Sequence, residues 1–319
     1  MKIIISLILF ISLLFVTSCD ESFSPYGKFE QKYSLNCIVQ ADTNLQIATV
    51  FKSYPLNSNT TVQNKNNSFV HNAFIRIWQG NDHVVILKDT TENSDTSNGG
   101  LLKNYYFTKK LHPKANDSLE IDVILPNGIR LKSKTKVPAK VLTDYDITTK
   151  LIPPKNGNVV TFAWKSLDPG EVYIPTLRLF YQKNVGGQLI SKKTVIPWKY
   201  IQRNGKEVGI NKPPSSVPLV NFSMDNVEKV LKSISKGDNH KENYLIMSLV
   251  LELKVLDRNL SNYYYTTGRL FNDYTVKLDV QDLTNIHGGF GIFGSLNKQE
   301  IAILFDEAYL TIFGYRSAF

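Results

Sequence analysis

Ser118-Leu-Glu-Ile-Asp-Val-Ile-Leu-Pro-Asn-Gly-Ile-Arg-Leu-Lys-Ser-Lys-Thr-Lys-Val137 decides the fold class. Leu119, Ile121, Val123 and Leu125 occupy every second position, the period of a half-buried strand. After the turn, Ile129, Leu131, Ser133, Thr135 and Val137 alternate with Arg130, Lys132, Lys134 and Lys136. A two-residue Asn-Gly loop would set Leu125 against Arg130 and Ile121 against Lys134. A three-residue loop, Pro126-Asn127-Gly128, instead pairs Val123 with Leu131, Asp122 with Lys132 and Glu120 with Lys134. Both faces then agree, and Gly128 takes the left-handed position such loops require. This register accounts for the basic stripe by cross-strand pairing and weakens any reading of it as a polyanion site.

The same period continues on both sides of the hairpin. Before it, Tyr33–Gln40, Leu45–Tyr54, Ala73–Trp78, Val84–Leu87 and Tyr105–Thr108 read as strands. Polar loops at 57–68 and 89–100 separate them. After it, Tyr145–Ile152 opens a second region, and Val160, Phe162 and Trp164 share a strand face. Tyr173–Gln182 and Ile190–Trp198 follow, and then a long loop at 203–218, rich in Gly, Pro, Lys and Ser. One helix is well specified. Ser223 caps it, Asp225 and Glu228 lie in its first turns, Met224, Val227, Leu231 and Ile234 form its stripe, and Gly237 stops it. Leu245, Met247, Leu249, Leu251, Leu253 and Val255 then alternate without a break. A short helix is expected within Asn259–Tyr274, with strands near 275–280, 289–294, 300–305 and 308–314.

Many short strands with turn signals between them predict a mainly β protein of two β-sandwich domains, immunoglobulin- or fibronectin-like. The second carries an inserted helix and the long loop. The expected division is 1–18 as a signal peptide, 19–29 as a tether, 30–140 as the first sandwich and 141–319 as the second.

The N-terminus gives the address. Lys2 precedes Ile3–Val16, an apolar run interrupted only by Ser6 and Ser12. A membrane span needs roughly 20 apolar residues, so this run fits the h-region of a secretory signal. It ends in Val16-Thr17-Ser18-Cys19, which resembles the lipobox of bacterial lipoproteins. That resemblance implies cleavage before Cys19 and its modification by palmitate-type acyl chains, anchoring the protein to a membrane. Asp20-Glu21 are similar to the surface-export signal of Bacteroidota lipoproteins and imply exposure at the cell surface.

The formal charge is +9, and Lys2 leaves with the signal. A basic exported chain has little occasion to meet nucleic acid, and the lysines read as solvated. With Cys19 acylated, Cys37 has no partner for a disulfide and is expected to be a buried, inert thiol. One cysteine and five scattered histidines offer no metal spacing. No cofactor is expected.

Gly289-Phe290-Gly291-Ile292-Phe293-Gly294 matches the dinucleotide fingerprint literally but lacks the required strand–turn–helix setting. A tightly packed glycine-rich strand or bulge in the second sandwich is expected instead, with Phe290 and Ile292 or Phe293 buried. Asp89–Asn98 lacks the ligand order of a calcium loop. Catalytic serine, zinc-protease and Cys/His patterns do not occur. Isolated acids, Asp168, Glu171, Asp306 and Glu307, could meet only in space. Tyr263–Tyr265, Trp198 and Tyr200 are candidates for a sugar- or peptide-binding face, with core packing as the plainer reading.

The lipobox, "YSLNCIVQ", "VFKSYPL", "NAFIRIW", "NGIRLKSKTKVP", "FAW" and above all "NIHGGFGIFGS" together resemble a family of Bacteroidota lipoproteins described only as a domain of unknown function. Its members are often encoded beside TonB-dependent outer-membrane transporters. The resemblance singles out Asn285, Gly288, Gly289, Gly291, Phe293 and Gly294 as the family motif and carries no catalytic residues. It implies a non-enzymatic binding or accessory lipoprotein of the outer membrane, partnered by such a transporter. The alternative is a structural or adhesive envelope protein.

Overall fold

A computed structural model describes residues 30–53, 68–91, 104–267 and 283–318. Cys19, the 22–29 tether, the loop at 57–67, residues 92–100 and the strand expected near 275–280 lie outside these. The described chain is mainly β, with large sheets consistent with a sandwich architecture.

In the N-terminal half, β1 (Tyr33–Gln40), β2 (Gln46–Lys52), β3 (Phe74–Gln79), β4 (His83–Thr91) and β5 (Asn104–Thr108) precede the hairpin of β6 (Ser118–Ile124) and β7 (Arg130–Lys136). Short β8 (Leu142–Thr143) and β9 (Leu151–Ile152) lead to β10 (Val159–Lys165), β11 (Val172–Val185) and β12 (Gln188–Ile196). Then come β13 (Lys199–Arg203), β14 (Lys206–Ile210), β15 (Leu219–Ser223), helix α1 (Met224–Ile234) and β16 (Tyr244–Leu256). Helix α2 (Arg258–Thr267), β17 (Phe290–Phe305), helix α3 (Glu307–Thr311) and β18 (Arg316–Ser317) complete it.

The decisive hairpin has the expected register. Val123 faces Leu131, Asp122 faces Lys132 and Glu120 faces Lys134. Gly128 sits at φ +84° and donates its amide to Leu125 O. β4 belongs to two layers. Its first half pairs with β3 and its second half, from Lys88, with β5. The strand therefore turns the path β1-β2-β5 into the opposing layer β3-β6-β7. Between the layers lie Leu35, Val50, Ile75, Ile77, Tyr106, Ile121 and Leu131, all fully buried. In the C-terminal half, β12-β11-β16-β17 faces the smaller sheet β15-β10-β8 and α1. Phe162, Phe222, Val227, Leu231, Leu251 and Leu253 fill that core.

One strand joins the halves. Phe290–Leu296 of β17 run parallel to β1, and Leu296–Leu304 run antiparallel to β16. This corrects the placement of the glycine-rich stretch. Phe293 is buried in the core of the N-terminal half, Ile292 in a third cluster beneath α2, and Phe290 is only half-buried. The physical reason is pairing: β1 has an open edge that β17 fills.

Three further expectations are revised. The 203–218 loop contains β14, which returns on β13 through Asn204-Gly205, both left-handed, as a two-residue hairpin demands. The alternation of Leu245–Val255 is interrupted where Phe180 faces Ser248 and Tyr181 faces Ile246, leaving Met247 as the extra residue of a bulge. The bulge turns Tyr244 and Ile246 inward in place of Leu245 and Met247. Finally, 289–294 and 300–305 form a single strand, and most of 308–314 is α3 and its closing turn.

Candidate functional site

The site begins at the inward face of β7. Ser133 and Thr135 break an otherwise apolar face, and both are buried. Buried hydroxyls need partners. Ser133 Oγ donates to Asn285 O at 2.7 Å, and Thr135 Oγ1 donates to the Asp257 carboxylate. The Asn285 side chain then behaves like one residue of an adjacent strand. Its Oδ1 accepts from Phe293 N at 2.9 Å and its Nδ2 donates to Phe293 O at 2.6 Å. His287 exchanges both backbone hydrogen bonds with Lys132. Ser295 Oγ donates to Lys136 O and Asn297 Nδ2 to Pro138 O. The two ends of the N-terminal sandwich, β7 and β17, are thus laced together.

The glycines make this approach possible. At Gly289 a Cβ would sit 2.7 Å from Tyr33 O, and at Gly294 it would sit 2.5 Å from Leu260 Cγ. Gly291, at φ +105°, lies against the backbone of Leu35, and Gly288 against the carbonyl of Arg130. The motif residues are therefore brought together as a clasp between β1, β7 and α2.

Beside the clasp is a cleft of about 620 Å³. Glu120, Lys134, Lys136, Asp168, Glu171, Asp257, Arg258 and Asn259 are among its lining residues. Asp257 caps α2, accepting from Leu260 N at 2.9 Å. Burial pushes its carboxyl up to about 6, and the hydrogen bond from Thr135 opposes that rise. Glu171 is likewise raised by burial and accepts from Tyr173 Oη at 3.0 Å. Burial lifts Tyr173 to about 12. The lining holds both signs of charge around one cleft, suited to a polar or zwitterionic ligand. The Thr135 hydroxyl and the Asp257 carboxylate are committed to the clasp and to the helix cap.

The other sequence candidates disperse. Cys37 is buried, and its thiol is pushed up to about 12 by desolvation. Tyr263 and Tyr264 pack on Ile292 and Leu296 beneath α2, while Tyr265 is exposed. Trp198 leans on the C-terminal core under Lys212 Nζ, 4.2 Å from its ring, and Tyr200 lies under Lys229 Nζ. Asp168 and Glu171 share the cleft, whereas Asp306 caps α3 through Tyr309 N. Asp89 accepts from Asn72 N at 2.9 Å. Sequence reasoning missed Asp257, Thr135 and Asn259. The signal for Asp257 was present: an Asp directly after a strand, followed by Arg-Asn-Leu-Ser, is a helix-cap pattern.

Residues 19–302 match the model of a family described as a domain of unknown function, DUF4249. The chain belongs to this family. In this DUF4249 protein the match takes in both halves, the clasp and the cleft. No curated protein matches the chain.

Proposed function

We propose that this DUF4249 protein is a lipoprotein of the outer membrane of a Bacteroidota cell, anchored through Cys19 and exposed at the surface. It serves there as a non-enzymatic binding or accessory module of a TonB-dependent transporter. The observation that carries the reading is Val16-Thr17-Ser18-Cys19 closing a short apolar run, with Asp20-Glu21 after it. The cleft supports a binding role, because one of its two buried acids, Asp257, already accepts from Thr135 and from Leu260 N of α2. Radiolabelled fatty acid supplied to cells tests the anchor. Wild type incorporates label and sediments with membranes, whereas Cys19→Ser does neither; equal labelling of the two refutes the anchor. Affinity isolation of the lipidated protein from its native membrane then tests the partner, and a transporter absent from the eluate refutes the accessory role.

One observation favours the structural alternative. The strand path runs unbroken from β12 to β7 through both halves, as a stiff spacer would require. Cells deleted for the gene separate the two readings: impaired uptake with normal envelope integrity supports the accessory role, and the reverse supports the spacer.

A further inference from the structure

Strand β12 ends the large sheet, and among the described residues it pairs only with β11. Gln188 to Lys193 are exposed on both faces. Natural sheets protect such edges with proline, bulges, a covering segment or charged side chains such as lysine, because a row of unpaired amides and carbonyls templates another strand; lysine turns away apolar and basic strands but not an acidic one. Between Gln188 and Ile196 there is no proline, and the pairing with β11 runs without a register shift. Leu189 (54 % exposed) lies opposite Asn184 on one face. On the other face, Ile190 (44 %) lies opposite Lys183. Apolar side chains therefore flank the edge above and below. Lys192 and Lys193 follow, one on each face, and Lys193 reaches its nearest carboxylate, Glu252, only at 3.9 Å.

We propose that the free edge of β12 is a docking site for an extended acidic segment of a partner protein, which adds to the sheet as its next strand. Backbone pairing supplies affinity in such complexes, and the side chains alongside supply selectivity. The lysines set that selectivity. A second copy pairing antiparallel through the same edge, in a register centred on either lysine, would set that lysine against its own counterpart, and like charges facing across strands repel. An acidic strand meets the opposite situation on both faces.

Topology places this edge far from the chain's point of arrival. β11 runs parallel to β1, because β16 lies antiparallel to both β11 and β17 while β17 parallels β1. Gln40, Leu296, Leu256 and Val172 share one level across the sheet. Tyr33 lies seven residues before that level and Val185 thirteen beyond it. At about 3.3 Å per residue, and allowing for twist, the two are roughly 50–65 Å apart. With Cys19 as the proposed anchor, the tip of the β11–β12 hairpin lies at the end of the sheet remote from where the chain enters it. Only this polarity rests on the anchor; the edge chemistry does not.

The test uses the full-length protein in detergent and a fluorescent nine-residue peptide, the length of β12, alternating Val or Thr with Glu. Fluorescence anisotropy should show saturable binding, weakened by salt, with a Lys-for-Glu version more than about tenfold weaker. Lys192→Glu with Lys193→Glu should invert the preference between the two peptides. N-methylation at every peptide bond, which leaves every charge in place and removes the donors of both edges, should abolish binding. Binding that survives N-methylation overturns strand addition in favour of a diffuse ionic contact. No binding of the acidic peptide at millimolar concentration overturns the proposal outright. Self-association in sedimentation that the double variant abolishes reassigns the edge to a second copy. Because the assay is made in detergent with purified protein, failure of Cys19 acylation leaves its outcome untouched.

Discussion

Replacing Gly291 with alanine should cost more than any other single methyl group in the clasp. Two effects add. The residue sits at φ +105°, where a side chain is strained by about 1–3 kcal/mol. The new Cβ would also stand 2.8 Å from the Leu35 carbonyl carbon and 3.0 Å from Leu35 N, and backbone atoms cannot rotate away. Relief requires β1 and β17 to separate around Leu35↔Gly291, the second pair of a ladder that runs to Gln40↔Leu296. Losing two ladder hydrogen bonds at about 1 kcal/mol each brings the total to roughly 3–5 kcal/mol. That is a large fraction of the 5–15 kcal/mol typical of a folded domain. Gly128→Ala supplies the control, because Gly128 has φ +84° and open space where its Cβ would go. It should lose only the conformational part, about 1–2 kcal/mol. Urea unfolding of the purified proteins, followed by tryptophan fluorescence, measures both. Equal losses in the two variants would refute the close-approach argument. An unchanged midpoint for Gly291→Ala together with a lost partner would make the stretch a docking loop.

Asn285→Ala removes both side-chain hydrogen bonds to Phe293 and leaves its amide without that partner, while Asn259 Nδ2 still donates to its carbonyl at 3.1 Å, so about 1–3 kcal/mol should be lost in chemical denaturation. Asn285→Asp should not restore it, since a carboxylate cannot donate to Phe293 O; full rescue would refute the clamp. Asp257 has a carboxyl raised by burial from 3.8 to about 6, so the fold favours its neutral form. Its contribution is complete below about pH 4 and is lost as pH rises through 6, on the order of 2–3 kcal/mol in all. Asp257→Asn should flatten the stability profile across that window. A profile parallel to wild type between pH 4 and 6.5 would show that Asp257 is ionised in the folded protein.

What the sequence determined by itself was local. The hairpin of β6 and β7 follows from pattern and turn chemistry alone, because each strand's partner is a few residues away and charge pairing selects one register. The α1 cap at Ser223 is equally local, a hydroxyl accepting from Asp225 N within one turn. The tertiary structure decided the rest. The glycines of 288–294 announced that something approaches closely, yet not what. The answer, β1, lies some 250 residues earlier, and a parallel pairing over that separation leaves no period in either segment. The bulge at Met247 added one residue and thereby exchanged the two faces of β16 over Tyr244–Ile246, an effect no alternation count reveals. Asp257 reads in sequence as a helix cap, an exposed position in most proteins. Only folding encloses it between Thr135, Ser295 and the start of α2, where desolvation outweighs its hydrogen bonds. The same holds for the cleft, whose walls come from segments far apart in the chain and exist only once β17 has joined them.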